Sequence, residues 1–326
     1  MKDYIGNRLQ IRGVQNFILE GGKGDGMHFV NVRNGLGLDV MISRDRCADL
    51  AQVTFKGDNM GFLSPCGYVA PQYYDPVGAG FLKSFSAGFF TTCGLTAVGS
   101  PCTDDGEELP LHGTISNTPA QLDAILEDDT GVTIKFTVND SGLFARKLVL
   151  KREYRFSYVE NSIAVSDEII NEGDSESPFM ILYHCNMGYP LLSEESVIKI
   201  PNNGIVPRNE HAAEFLADAL NMQSPEAGYE ECCYYYDVEE TAGVAAVSIY
   251  NKAINRGVEI SYNKKELPYF TEWKMMEKRD YVLGLEPGNC TPDGRDVMRK
   301  EGKLQFIAPG ESARCGVTFI FTEKEI

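Results

Sequence analysis

The chain has 326 residues and a net charge of −17, and 43% of its residues are hydrophobic. This composition predicts a globular protein that buries a large core without disulfide or metal staples. The strong acidity argues against nucleic acid and anionic lipid as partners, because proteins bind polyanions mainly through Lys and Arg.

The sequence carries no signal for export or membrane insertion. No apolar run approaches the ~20 residues that span a bilayer, and the N-terminus lacks the apolar segment of a signal peptide. The nine cysteines are an odd number without CxxC spacing, so we expect neither a disulfide framework nor a zinc site. These features predict a reduced, cytoplasmic protein.

Short alternating runs of β-branched and aromatic residues, bounded by Gly, Asn or Asp, dominate the chain. Such alternation predicts antiparallel strands with one buried face. Many strands with few helical windows predict an all-β protein, either a sandwich or a barrel. Examples are GVTIKFTVND (131–140), KLVLKREYRFSY (147–158), SIAVSDEIINEG (162–173), GVEISYN (257–263) and RCGVTFIF (314–321).

Two other segments bear on the fold. Only Glu210–Gln223 has apolar residues at helical spacing, which predicts one short helix. The glycines of GGKGDG (21–26) are not followed by a helical pattern, so they predict a hairpin loop and not a phosphate cradle. No repeat or Pro/Ser-rich linker divides the chain. We therefore expect one domain over residues 1–326, with two sandwiches as the alternative.

Polar side chains next to apolar runs mark the first candidate sites in chain order. Arg44 and Arg46 follow an apolar run, where they could bind sugar hydroxyls or a carboxylate, or form surface ion pairs. The segment Ser86–Gly99 has small residues around Phe89 and Phe90. Phe90 could stack on a ligand, although a hydrophobic plug explains the same pattern.

Two histidines lie at the ends of apolar segments. His112 stands in LHGTISNTPA, and His184 ends an apolar run in ILYHCNMGYPLL. Asn186 follows two residues after His184, so both side chains lie on one face of a strand. A structural role is the alternative for each histidine.

Glu286 in YVLGLEPGN is the most informative single residue of the sequence. A carboxylate inside an apolar strand is costly to desolvate, and its burial would raise the pKa towards the range of a general base. The segment FTEW adds Glu272 and the only tryptophan, Trp273. The tryptophan suits the apolar face of a sugar ring, and a place in the core is its alternative.

The sequence offers little support for other chemistry. It lacks HxH and HxxxH ligand spacing, and it has no GxSxG nucleophile motif. We therefore predict neither a metal site nor a serine nucleophile of the GxSxG type.

The order of these motifs resembles the aldose 1-epimerase, or galactose mutarotase-like, superfamily, and most closely its DUF4432 branch. The resemblance is carried by RDRCADL, TTCGL, LHGTISNTPA, YHCNMGYPLL and GLEPGN, and it extends from about Arg44 to Arg295. It implies a large antiparallel β-sandwich, the galactose mutarotase-like supersandwich. It also implies an isomerase that opens and recloses a sugar ring without metal or organic cofactor.

Site residues follow from the resemblance motif by motif. Glu286 resembles the general base, His184 the general acid and His112 a second histidine of the site. From the residue types themselves, and not from the resemblance, further expected contacts to the substrate are Arg44, Arg46, Phe90, Asn186, Glu272, Trp273 and Arg295. The expected ligand is a small sugar, with or without an anionic substituent.

Two other functions stay open at this point. One is a non-catalytic carbohydrate-binding protein, and the other is a glycoside hydrolase or lyase that uses Glu286 and Glu272 as paired carboxylates. A homodimer is open beside a monomer.

Overall fold

A computed structural model describes residues 2–325, and within this range it has 25 strands and two short α-helices. The strands, in chain order, are β1 (Gly13–Ile18), β2 (His28–Arg33), β3 (Leu38–Ser43), β4 (Asp49–Phe55), β5 (Asp58–Asn59), β6 (Phe62–Leu63), β7 (Ala87–Gly88), β8 (Phe90–Leu95), β9 (Cys102–Asp104), β10 (Glu107–Leu109), β11 (Ala120–Glu127), β12 (Gly131–Ser141), β13 (Lys147–Ser157), β14 (Ser162–Asn171), β15 (Ser177–Met187), β16 (Ser196–Lys199), β17 (Asn202–Pro207), β18 (Cys232–Val238), β19 (Glu240–Thr241), β20 (Val244–Asn251), β21 (Arg256–Asn263), β22 (Tyr269–Glu277), β23 (Asp280–Gly288), β24 (Gln305–Ile307) and β25 (Ser312–Thr322).

The helical segments are all short. The α-helices are α1 (Glu210–Glu214) and α2 (Arg295–Lys300). Single 3₁₀ turns occupy Lys2–Tyr4, Arg8–Gln10, Gly22–Gly24, Pro71–Tyr73, Gly80–Lys83, Ile115–Asn117 and Leu216–Asp218.

Two large antiparallel sheets contain nearly all the strands. The first has 12 strands with the main order β1-β2-β3-β4-β8-β15-β23-β22-β18-β17, and β5 and β24 pair with β4 and β15. The second has nine strands in the order β11-β12-β13-β14-β25-β21-β20-β16, and β19 pairs with β20. The predicted antiparallel β-sandwich is confirmed, and so is the hairpin loop at residues 21–26, because β1 and β2 pair across it.

The core lies between the two sheets and follows from the period-two alternation of the strands. In β12, Val132, Ile134 and Phe136 are buried, whereas Lys135 between them is exposed. Apolar residues from both sheets form one continuous cluster. The alternation that predicts strands therefore also selects the residues of the core.

Two neighbouring strands in the middle of the first sheet are buried on both faces. In β15, Tyr183 and Cys185 belong to the core between the sheets, whereas Leu182 packs in a separate cluster with Cys93 and Met298 on the outer face. Strand β23 is buried from Tyr281 onwards. Loops that follow β6, β8, β10 and β23 cover this outer face, and a cavity remains between loops and sheet.

Arg152 of β13 joins the two sheets through a fully buried charged cluster. Its guanidinium donates to both carboxylate oxygens of Asp167 in β14, at 2.9 and 2.6 Å, and to Asp49 Oδ1 in β4, at 2.7 Å. It also donates to Thr92 Oγ1 of β8, and the Tyr183 hydroxyl donates to Asp167. The side chains of Arg152 and Asp167 have no exposed surface.

The predicted helix at Glu210–Gln223 is shorter than expected. Helix α1 covers five residues and is followed by a 3₁₀ turn. The rest of the segment is held outside a helix by tertiary contacts: Lys274 Nζ donates to the carbonyl oxygens of Asp218 and Asn221, at 2.8 and 2.6 Å. None of the helices within residues 2–325 is long and apolar enough to cross a membrane.

Replacing Arg152 with Met should destabilise the fold by about 3 to 5 kcal/mol, because Asp49 and Asp167 would stay buried without their cation. Urea unfolding followed by circular dichroism measures the free energy of unfolding. The matched control is Lys151→Met, which removes an exposed cation from the same strand and should change that free energy by less than about 0.5 kcal/mol. Equal losses in both variants would contradict a bridging role for Arg152.

Candidate active site

A cavity of about 240 Å³ lies on the outer face of the first sheet, above β15, β23 and β22. Its residues come from these three strands, from the loops that cover them and from β18 and the segment before α1. They are Phe81, Leu82, Phe85, Gly99, Ser100, Leu111, His112, His184, Arg208, Glu231, Cys233, Thr271, Trp273, Glu286 and Pro292.

His184 and Glu286 form the floor of this cavity. The antiparallel register pairs Cys185 with Leu285 and Asn186 with Gly284, so His184 lies directly opposite Glu286. His184 Nε2 and Glu286 Oε1 are 3.2 Å apart, and both side chains are almost completely buried. The contact is not aligned as a hydrogen bond, so Glu286 Oε1 has no hydrogen-bond partner in the described part of the chain.

Burial shifts the two pKa values in opposite directions. Desolvation raises the pKa of Glu286 well above its ordinary value, and the nearby Glu231 raises it further, against the effect of Arg208. Desolvation lowers the pKa of His184 well below its ordinary value, and His112 adds to this shift. Both shifts favour uncharged groups. Burial therefore favours a protonated Glu286 beside a neutral His184 over the charged pair.

His112 approaches His184 from a loop with an unusual backbone. Its φ is 58°, a left-handed conformation that few non-glycine residues adopt. Its N–H donates to Gly99 O at 2.9 Å, and its carbonyl accepts from Gly94 N at 3.1 Å. These bonds place the imidazole ring 5.5 Å from that of His184. Desolvation and the Arg208 guanidinium lower the pKa of His112 to about 4, so it is neutral at pH 7.

Three aromatic rings form the walls. The ring of Phe85 lies 5.4 Å from that of His184, and the ring of Phe81 lies 5.3 Å from that of His112. Trp273 stands edge-on to His184 at 5.3 Å, and its indole N–H donates to Glu231 Oε2 at 2.6 Å. The walls offer apolar faces, and the tryptophan is fixed by a hydrogen bond.

Arg208 is a cationic side chain at the rim of the cavity. Its Nη2 donates to Ser100 Oγ at 2.9 Å, and its Nε lies 3.3 Å from Asp293 Oδ1. The hydroxyl of Tyr235 donates to the same carboxylate at 2.6 Å. Arg208 therefore joins the segment before α1 to two of the loops that cover the cavity.

Several buried polar atoms of the cavity have no partner within residues 2–325. They are Glu286 Oε1, Thr271 Oγ1, His184 Nδ1 and His112 Nδ1. Unpaired buried polar groups are costly, so their presence in one cavity indicates a site for a polar ligand.

The structure brings four of the predicted site residues together in this cavity: Glu286, His184, His112 and Trp273. The other six, Arg44, Arg46, Phe90, Asn186, Glu272 and Arg295, do not line it. The catalytic roles given to the first three stay predictions.

Both arginines of the segment after β3 lie outside the cavity. Arg46 is buried and donates to the backbone carbonyls of Ser116, Val69 and Ser84, at 2.8 to 3.0 Å. It thus fixes the loop that carries Phe85 instead of contacting the cavity itself. The backbone of Arg44 pairs with that of His28 and Ala120.

Phe90 and Glu272 point into the core because the strand alternation turns them away from the cavity. Phe90 is fully buried and stacks on Tyr183 at 5.1 Å, so the hydrophobic-plug alternative is the correct one. Glu272 accepts from the Tyr236 hydroxyl at 2.6 Å, and desolvation raises its pKa to about 7. Thr271 and Trp273, its neighbours in β22, face the cavity instead.

Asn186 and Arg295 have structural partners. Asn186 Nδ2 donates to the carbonyl of His184 at 2.9 Å. Arg295, buried in α2, binds Asp104 at 2.6 Å and Glu107 at 2.8 Å. Arg299, one turn later, binds Asp104 as well, and these ion pairs hold the short α2 that the sequence pattern did not predict.

Sequence reasoning missed Phe81, Phe85, Arg208, Glu231 and Thr271. A signal existed for Thr271 alone, because it alternates with Trp273 on one strand face. The other four lie outside apolar strands, and only the tertiary fold brings them to the cavity. Residues 2–325 contain no group of three His, Cys, Asp or Glu side chains placed to hold a metal ion.

A protein-family model matches most of the chain. The family model described as "Domain of unknown function (DUF4432)" matches residues 24–320. No curated protein matches the chain in sequence.

Solved structures share the fold. A putative aldose 1-epimerase from Klebsiella pneumoniae has a TM-score of 0.90 and 26% identity over 97% of this chain and 86% of its own. A galactose mutarotase-like protein from Clostridium acetobutylicum has a TM-score of 0.69 and 12% identity, over 96% and 99%. A galactose 1-epimerase from Lactobacillus acidophilus has a TM-score of 0.64 and 14% identity, over 96% and 100%.

These relatives have the mutarotase-like β-sandwich that the sequence predicts, and the family model covers nearly the whole chain. The protein belongs to the DUF4432 family, with a galactose mutarotase-like fold.

Proposed function

We propose that the protein interconverts the anomers of an aldose or a modified sugar, by opening and reclosing the sugar ring. The observation that carries the proposal is the contact between His184 Nε2 and Glu286 Oε1, at 3.2 Å on the floor of an aromatic-walled cavity. General acid–base catalysis needs two such groups, one to accept a proton and one to donate it.

The two reacting oxygens of a cyclic aldose, O1 and O5, are both bonded to C1. A pair of groups in direct contact therefore suits them. In ring opening, the Glu286 carboxylate accepts the proton of the O1 hydroxyl, and the His184 imidazolium donates a proton to O5. The C1–O5 bond breaks, and C1 and O1 become the aldehyde.

Rotation about C1–C2 presents the other face of the aldehyde to the O5 hydroxyl. Ring closure then reverses both transfers: Glu286 returns a proton to O1, and His184 accepts the proton from O5. No proton is gained or lost over the cycle. The protein needs only one proton on the pair, which moves between the two residues as the ring opens and closes.

The opposite pKa shifts agree with this cycle. The state with a protonated Glu286 and a neutral His184, which burial favours, is the one that accompanies the open-chain aldehyde. A proton shift within the pair generates the carboxylate and the imidazolium that open the ring.

The other cavity residues have roles in binding. His112, neutral at pH 7, suits a hydrogen bond to a sugar hydroxyl. Phe81, Phe85 and Trp273 offer apolar faces to the C–H side of a sugar. Arg208 and Glu231 offer polar groups at the rim.

A glycoside hydrolase that pairs Glu286 with Glu272 has no support from this geometry. Glu272 points into the core from β22, away from the cavity, and its carboxylate is engaged by Tyr236. Two carboxylates on opposite faces of a sheet cannot flank one glycosidic bond.

Replacing Glu286 with Gln should reduce anomer exchange by at least ~10²-fold, because the amide has nearly the same shape but cannot accept the O1 proton. Saturation-transfer NMR between the two anomeric protons measures the exchange, and sugar binding should persist. The control Glu240→Gln changes an exposed glutamate of β19 and should leave the rate unchanged. Full exchange in the Glu286 variant would remove this residue from the mechanism.

Replacing His184 with Gln should lower kcat by ~10² to 10⁴, the range expected of a positioned acid. Stopped-flow polarimetry on a freshly dissolved anomer measures kcat and KM separately. The control is His28→Gln, which alters a half-exposed histidine beside Asp45. A rise of KM with kcat unchanged would assign His184 to recognition instead.

The pH profile of kcat/KM should have an acid limb below pH 6.5, the ordinary pKa of histidine. Burial disfavours the charged imidazolium, so the pair takes up a second proton only below pH 6.5. Activity should fall as the pH decreases through this lowered pKa. The alkaline limb reports loss of the proton from Glu286, and both apparent values belong to the pair. An acid limb at or above pH 6.5 would contradict the assigned burial effect.

A further inference from the structure

Gly284 lies two residues before Glu286 in β23, inside the apolar run of that strand. Residues two apart on a strand point to the same face, so position 284 faces the cavity as position 286 does. Glycine in the interior of a strand weakens it and often marks a place where another group approaches closely. The group that approaches here is the carboxyl group of Glu286.

The contact is visible when a methyl group is placed on Gly284. Its carbon would lie 2.1 Å from Glu286 Oε1, more than an ångström inside ordinary van der Waals contact. The next atoms, Glu286 Cδ and Trp273 Cβ, would both lie 3.1 Å away. The strongest conflict is therefore with the catalytic carboxyl group itself, and the space above Gly284 is the space that this group occupies.

The neighbours across the sheet leave this space open. Gly284 is paired with Asn186 of β15 on one side and with Trp273 of β22 on the other. The amide of Asn186 donates back to its own strand, at the carbonyl of His184. Trp273 is held by Glu231 at the rim. Asn186 and Trp273 therefore bound the hole on its two sides, and a hydrogen bond fixes each of these side chains.

We propose that Gly284 is a positioning residue of the active site: its missing side chain creates the hole in which the Glu286 carboxyl group lies beside His184. The effect of Gly284 on catalysis rests on the proposed function. The placement itself is a statement about packing and can be tested without any substrate.

The test is Gly284→Ala. The φ of Gly284 lies outside the left-handed region, so alanine suits the backbone, and the end of a flexible side chain is what must move. We expect a folded protein whose Glu286 carboxyl group is displaced. A displacement of about 1 Å can cost ~10²-fold in rate, so kcat should fall by about that factor while KM changes little. The control Gly204→Ala adds a methyl group to β17, where no atom lies within 4 Å.

A thermal-stability cycle separates the placement from the chemistry. G284A should lower Tm in the wild-type background, and in the E286A background this loss should disappear, because the conflicting carboxyl group is gone. This coupling would support the placement of the carboxyl group even if the protein turned over no sugar. In that case the proposed function would be wrong, and the packing role of Gly284 would stand. The same change of Tm in both backgrounds, or full kcat in G284A, would overturn the proposal.

Discussion

The buried ion cluster of Arg152 fixes the two sheets against each other, and the active-site strands depend on it. Arg152 reaches from the second sheet to Asp49 and Thr92 of the first, while Asp167 binds both Arg152 and the Tyr183 hydroxyl. A buried charge that loses its partner is costly, so this network favours the placement of the strands in which all of its members are paired. Tyr183 and Thr92 are paired across β15 and β8. Their inner face is tied to the cluster, and His184, the next residue, stands on the outer face.

Strands β15 and β23 are buried on both faces, and this burial explains the pKa shifts at the site. Loops cover the outer face of these strands, so His184 and Glu286 lie out of water although they belong to the outer surface of a sheet. Desolvation then raises the pKa of Glu286 and lowers the pKa of His184, which favours the uncharged form of each group. In the proposed reaction, protons move between the sugar and this pair as the C1–O5 bond breaks and re-forms. Burial of the pair and the direct contact between its members are what the fold contributes to that proposal.

Much of this could be predicted from the sequence, and the exceptions have physical causes. Alternation predicts the sandwich because the period of two decides which side chains enter the core, as in β12. Glu286 and His184 could be found because polar groups inside apolar strands are costly and therefore informative. The same reasoning wrongly placed Glu272 in the site. Glu272 is buried on the core side of its strand, where a hydrogen bond from the Tyr236 hydroxyl offsets the cost of its desolvation.

Loop residues such as Phe81 and Arg208 could not be predicted, because only the tertiary fold brings them to the cavity. Arg46 and Arg295 were predicted to contact a ligand but bind groups of the protein itself. Arg46 donates to backbone carbonyls, and Arg295 binds a carboxylate.

The central claim is that the His184–Glu286 pair opens and closes a sugar ring. Saturation-transfer NMR on a panel of neutral and anionic aldoses, with the wild-type protein at catalytic concentration, tests it most directly. Anomer exchange should exceed the uncatalysed rate for at least one member of the panel. Sugar binding without accelerated exchange for any member would contradict the account and identify the cavity as a binding site without turnover.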